Sequence, residues 1–296
     1  MRPPAASSGA TSGNVPAQVI AVPRRSPLKF FVLVFSLSAP FWWLGFVSDL
    51  QLMPGLSVSA LGAFCPMVAA LLLVRLESSK AGMVGMAGVR DLLKRSADFR
   101  RVTDKRWYLP ILLLMPVVSV LVYGLMRALD LPLPASPTQA KSITQVLVDL
   151  PIVPALLMFA AFFVGALGEE LGWSGYVLDP LQERWNALQA GLILGAVAVA
   201  WHLVPLLMMH RPPAWIAWWC LYAVAFRILI VWLFNNTGGS VFAVALFHGT
   251  LNLAFMLFPV NGSHFDMRLG GLVMACAAAM VTALWGPRTL ARYGTA

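Results

Sequence analysis

The sequence predicts an all-α fold: a polytopic transmembrane helical bundle of about eight spans with both termini cytoplasmic. Three observations carry this prediction. Of 296 residues, 59% are hydrophobic and only 11% are charged, less than half the roughly 25% charge of a soluble domain. Mean hydropathy is strongly positive at +0.78. Apolar runs of about 20 residues recur along the chain, each long enough to cross a bilayer as a helix.

Residues 1–27, rich in Pro, Ala, Ser and Gly, cannot bury a core and read as a disordered cytoplasmic tail. They lack the apolar core and cleavage site of a signal peptide, so the first span acts as its own insertion signal. Spans fall at 28–48, 57–76, 107–127, 151–173, 189–209, 214–234, 240–259 and 268–286. Residues 28–149 hold the first three spans and a basic loop, 77–106. Residues 150–260 form a core of spans four to seven, and 261–296 supply the last span and a short cytoplasmic tail. The loop "VRDLLKRSADFRR" alternates basic and apolar residues, which suits either an orienting loop or an amphipathic helix on the inner leaflet.

With the N-terminus inside, sixteen of the 21 Lys and Arg residues face the cytoplasm and four face outside. The remaining one, Arg227, lies within a span. This bias satisfies the positive-inside rule and predicts a multi-pass protein of the cell membrane. It also accounts for the net charge of +9 without nucleic acid, because no helix carries a continuous basic stripe. Cys65, Cys220 and Cys276 all lie in apolar runs and form neither a disulfide framework nor a CxxC metal site.

Ionisable residues inside a bilayer are costly, about 2.5–3.5 kcal/mol each on insertion scales, and for that reason informative. Here they are Glu169 and Glu170 in span 4, His202 in span 5, Arg227 in span 6, and His248 with Asn252 in span 7. If span 4 ends near Trp173, Glu169 lies roughly 6 Å from the cytoplasmic end, with His248 at roughly 12 Å and His202 at roughly 20 Å. These depths predict one cavity in the inner half of the membrane, open to the cytoplasm. His248 and Asn252, spaced i, i+4, share a helix face. Glu169 and Glu170 are about 100° apart, so one faces the cavity while the other braces the site. Gly191 and Gly195 form a GxxxG that lets span 5 approach a neighbour closely.

A carboxylate held out of water with two histidines suits water activation. Glu169, His202 and His248 could equally hold zinc, leaving one position for the attacking water. Asn252 could stabilise the oxyanion formed at a carbonyl. Blander readings exist for each residue. Glu170 could reach the headgroups, His202 could bond a carbonyl freed by Pro205, and Arg227 could snorkel to the inner surface. None of these explains why consecutive spans bring such residues to one depth.

Three stretches, "EELGWSGY", "WHLVPLL" and "HGTLN", resemble in order and spacing the motifs of the CAAX prenyl protease and bacteriocin-processing (abortive-infection-like) family of intramembrane proteases. That pattern is EExxxR, then FxxxH, then HxxxN, and the resemblance covers roughly residues 150–260. It implies that Glu169 is the main catalytic carboxylate with Glu170 beside it, and that His202, His248 and Asn252 complete the site. Trp173 and Arg227 are supporting candidates. It implies an endopeptidase acting on a peptide or protein substrate, lipidated or membrane-embedded, by a zinc-dependent or a metal-free Glu/His mechanism. Ser174 stands where the first motif has Arg, and Ala198 where the second has Phe. The sequence hypothesis is that Arg227 replaces the lost cation from another helix. Two other functions fit part of the pattern. A catalytically inactive member acting in immunity or as a membrane scaffold would tolerate the missing Arg. A proton-relaying transporter would use the same groups, although the chain shows no inverted repeat.

Overall fold

Eight apolar helices follow the hydropathy of the chain, and together they make a multi-pass integral membrane protein. The computed structural model describes residues 25–48, 50–53, 56–80, 86–131, 152–257 and 265–292. The predicted disordered tail falls almost wholly outside these residues, as do His264 and the last four residues of the chain.

Helix α1 spans Pro27–Val47 and leads into a two-stranded antiparallel hairpin, β1 (Gln51–Met53) and β2 (Leu56–Ser57). A 3-10 segment, Val58–Phe64, runs directly into α2 (Cys65–Lys80). Then come α3 (Met86–Lys94) and α4 (Tyr108–Ala128). The core is built from α5 (Ile152–Gly172), a π-helical turn (Trp173–Val177), α6 (Leu178–Gln182), α7 (Ala187–Met208), α8 (Pro213–Asn236) and α9 (Val241–Leu257). The last helix is α10 (Met267–Trp285). Among the described residues, seven helical stretches are long and apolar enough to cross a membrane, and α9, at 17 residues, is the shorter eighth. Leu28, Trp43, Phe46 and Leu157 are more than half exposed on the outside of the bundle, as lipid-facing side chains should be.

Helix α8 is the central element, with 61% of its apolar span buried against 17–44% for the others. Its closest neighbour on one side is α7, and glycine explains the approach. A Cβ on Gly195 would lie 3.1 Å from the Val224 Cα, and one on Gly191 would lie 3.4 Å from the Ile228 Cα. The GxxxG therefore seats α7 on the stretch of α8 that contains Arg227.

The fourth span differs from its sequence expectation. It does not stop near Trp173 but continues through the π turn to Gln182. Glu169 is thus 13 residues, or roughly 20 Å, from that end instead of roughly 6 Å. Pro180 has no amide hydrogen to give to the carbonyl four residues earlier, that of Tyr176. Arg25 donates to that carbonyl at 3.4 Å, and Arg95 donates to the Gly175 carbonyl at 2.7 Å. Gly172, which opens this turn, faces the Pro66 backbone so closely that a Cβ would sit 2.4 Å from the Pro66 carbonyl oxygen.

The basic loop 77–106 is a docked part of the bundle, more than the orienting loop or surface helix that the sequence suggested. It does form the helix α3, whose Leu92 is buried. Arg95 then bridges the π turn to the Gly239 carbonyl, at 2.8 Å, in the α8–α9 connection. Asp98 accepts from Ser240 Oγ and from the Val241 and Phe242 amides at the start of α9. An acidic side chain there satisfies orphan amides and complements the helix dipole. One loop therefore fixes the ends of both helices that carry acid and histidine.

The close contact of α7 and α8 generates a prediction. Gly195→Leu should lower the thermal midpoint of the detergent-solubilised protein, with a cost of about 1–3 kcal/mol from overpacking. Gly195→Ala should be much milder. Equal behaviour of the two variants would show that the approach is not limiting.

Candidate active site

Glu170 is completely buried at the centre of the bundle, with three side-chain partners. Arg227 on α8 donates through Nη1 to its Oε1 at 2.6 Å. His248 on α9 contacts the same oxygen through Nδ1 at 3.0 Å. Ser174, one turn further along the fourth span, donates to Oε2. Three elements thus converge on one carboxylate, and every charge in the cluster is held by a partner from another helix. Arg227 is only 3% exposed, so it does not snorkel to the surface, and Glu170 does not reach the headgroups.

Glu169 stands differently. Its Oε2 lies 3.6 Å from Arg227 Nη2 and has no hydrogen-bond donor among the described residues. Its side chain keeps 10% exposure where that of Glu170 has none. One guanidinium serves two carboxylates and sits 1 Å closer to the second. Glu170 takes the shorter contact, and Glu169 keeps the longer one. The adjacent acids therefore differ in their partners: Glu170 has three and Glu169 only the longer Arg227 contact.

The histidines share one feature. His202 Nδ1 lies 2.8 Å from the Ala198 carbonyl, one turn back on α7. A carbonyl only accepts, so Nδ1 carries the proton and Nε2 keeps its lone pair. The carbonyl capped is that of Ala198, not one released by Pro205. His248 donates from Nδ1 to the Glu170 carboxylate, and its Nε2 is likewise left as an acceptor. Trp201 and Trp219 flank the His202 ring at centroid distances of 4.6 and 5.4 Å, and Phe226 meets His248 edge-on at 5.4 Å. Trp173, fully buried, lies under the Arg227 guanidinium at 5.8 Å and packs edge-on against Trp201 and Phe30. Its position supports the cation by a cation–π contact.

A cavity of about 470 Å³ adjoins this cluster. His202, Arg227, His248 and Asn252 line it, together with apolar and aromatic side chains including Phe162, Trp219, Tyr222 and Phe226. The two glutamates lie behind this wall, joined to it through Arg227 and, for Glu170, His248. From the cluster the cavity extends towards Met209 and Met256, at the ends of α7 and α9 away from Arg95. The cavity thus runs away from the end of the bundle that holds Arg95.

No three His, Cys, Asp or Glu side chains among the described residues are gathered closely enough to hold a metal ion. Arg227 meets both carboxylates, at 2.6 Å from Glu170 and 3.6 Å from Glu169. Tyr222, Ser174 and the π turn were missed as site elements by sequence reasoning. Tyr222 could have been found from its spacing, four residues before Phe226 and five before Arg227.

The Arg227–Glu170 pair should be worth much more broken than replaced. Arg227→Leu should destabilise the protein by about 3–5 kcal/mol, because it strands a buried carboxylate. Arg227→Leu combined with Glu170→Leu should recover part of that loss. Thermal unfolding in detergent measures both, and a double variant no more stable than the single one would count against the pairing.

Comparison with known proteins is consistent with this geometry. Residues 151–254 match the family described as type II CAAX prenyl endopeptidase Rce1-like. The chain is also 24% identical over 270 residues to CAAX prenyl protease 2 of Methanococcus maripaludis, an alignment that covers 86% of this chain and 93% of that protein. The matched segment contains all three motifs and every residue of the buried cluster. Over this segment the chain is similar to the CAAX prenyl protease family.

Proposed function

We propose that the chain is an intramembrane endopeptidase that hydrolyses a peptide bond with water activated by Glu169 and the histidines. The observation that carries this reading is the buried Glu170 clamp. It holds Arg227 and His248 in the wall of an apolar cavity that also presents His202 and Asn252. Glu169, with the longer contact to Arg227 and an unbonded oxygen, is the base. The Nε2 lone pair of His202 accepts a hydrogen bond from one O–H of the water and orients it, with His248 beside it, while the other O–H points to Glu169. As the water oxygen bonds to the carbonyl carbon, its proton passes to Glu169. Asn252 donates its amide hydrogens to the oxyanion that forms. When the intermediate collapses, the C–N bond breaks and Glu169 returns the proton to the leaving nitrogen.

Arg227 supports an active site despite the missing motif Arg. It meets both carboxylates from α8, while Ser174 supplies a third hydrogen bond to Glu170. The aromatic and methionine lining supports a substrate with a bulky apolar group, a prenylated peptide end or an apolar segment within the bilayer. The positive-inside bias and the direction of the cavity together support entry from the extracytoplasmic side of the cell membrane.

Two experiments test this reading. Purified protein should cleave a farnesylated peptide ending in Cys-aliphatic-aliphatic-X or an apolar membrane peptide. Glu169→Gln, His202→Ala and His248→Ala should each lower the rate by at least about a hundredfold without loss of folded protein. A chelator should leave the wild-type rate within about twofold, whereas a loss reversed by zinc would assign the metal route. Sidedness is tested separately in a background with its three cysteines changed to serine. A membrane-impermeant maleimide should label Met209→Cys in intact cells and Arg288→Cys only after permeabilisation. The reverse pattern would turn the cavity to the cytoplasm.

A further inference from the structure

Tyr222 on α8 is only 6% exposed and lines the same cavity as the two histidines and Asn252. Its hydroxyl has no hydrogen-bond partner among the described residues, and it is not among the fully enclosed polar atoms. A buried phenol normally finds a partner, so a hydroxyl held unbonded in a cavity wall points to a role towards what enters.

Helix register says what it would meet. Helices α8 and α9 run antiparallel, and Phe226 packs against Phe247 at 5.1 Å and His248 at 5.4 Å. Four residues back along α8 is Tyr222, and four residues forward along α9 is Asn252. Each step is one turn, about 5.4 Å, in the same direction along the cavity. Tyr222 and Asn252 therefore face each other one turn beyond His248, on the side from which substrate enters. One is a phenol O–H donor and the other an amide donor.

We infer that Tyr222 is a second oxyanion donor, paired with Asn252. The phenol donates a hydrogen bond to the carbonyl oxygen as that oxygen gains charge and keeps its own proton throughout. Two converging donors held in an apolar cavity need no reorganisation as the charge develops, which is where such groups act most strongly. This inference rests on the peptidase reading and adds a specific group to it.

Tyr222→Phe is the test, since it removes one oxygen and leaves the ring. The expected result is a fall in kcat of about a hundredfold with KM changed by less than about twofold. The thermal midpoint should stay level or rise, because no hydrogen bond within the described structure is lost. Combined with Asn252→Ala, the loss should be smaller than the product of the two single losses, as expected for donors to one atom. An unchanged kcat, a loss confined to KM, or a loss of activity that tracks a falling thermal midpoint would overturn the assignment while leaving the peptidase reading standing. A wild-type protein that cleaves neither kind of peptide would overturn both.

Discussion

A guanidinium held against a carboxylate, away from water, governs the arrangement of this protein. Burying either charge alone in a bilayer core would be prohibitive, and burying them together demands close geometry. Arg227 reaches Glu170 at 2.6 Å only because α7 leaves room, through Gly191 and Gly195, for α8 to lie deep in the bundle. The fourth span can present Glu170 there because it runs unbroken past Trp173. The helix carrying His248 is anchored at its start by Asp98, and the π turn is held by Arg95, three residues earlier in the same loop. Packing, capping and charge pairing thus converge on one oxygen atom.

That constraint also separates two acids that the sequence places side by side. Neighbours on a helix point in directions about 100° apart, so a single cation cannot serve both equally. Glu170 receives the short contact and is saturated by Arg227, His248 and Ser174. Glu169 is left with the longer contact and an oxygen that no group among the described residues donates to. The difference in role follows from the difference in partners, since both side chains are the same chemical group. A lysine in place of Arg227 would offer a point charge where the guanidinium offers a planar fork that touches both acids.

Much of this was legible in the sequence because a membrane makes polar residues conspicuous. The eight spans follow from run length, and Arg227 drew attention through the cost of its position. The three motifs, with the histidines and Asn252, stood out for the same reason. What could not be read were features set by backbone geometry and by contacts between distant segments. Hydropathy falls after Trp173, so the helix seemed to end there, although arginines from two other segments support its continuation across Pro180. Arg95 and Asp98 looked like ordinary loop charges because their partners, Gly175, Gly239 and the first amides of α9, lie about 80 and 140 residues away. The direction of the cavity depends on which side chains flank the cluster, and spacing along one helix does not specify that. Ser174 read as a loss because the pattern called for Arg, yet it still donates to the carboxylate.

The two histidines are anchored in unlike ways, and this gives the site a seam. His202 is held by a carbonyl of its own helix, so its ring travels with α7 as one piece. His248 is held by Glu170, so it stays registered to the fourth span and, through Arg227, to α8. A substrate that wedges α7 outward would carry one lone pair away and leave the other, with both acids, in place. The site is therefore divided between a half tied to the fourth span and α8 and a half that rides with α7.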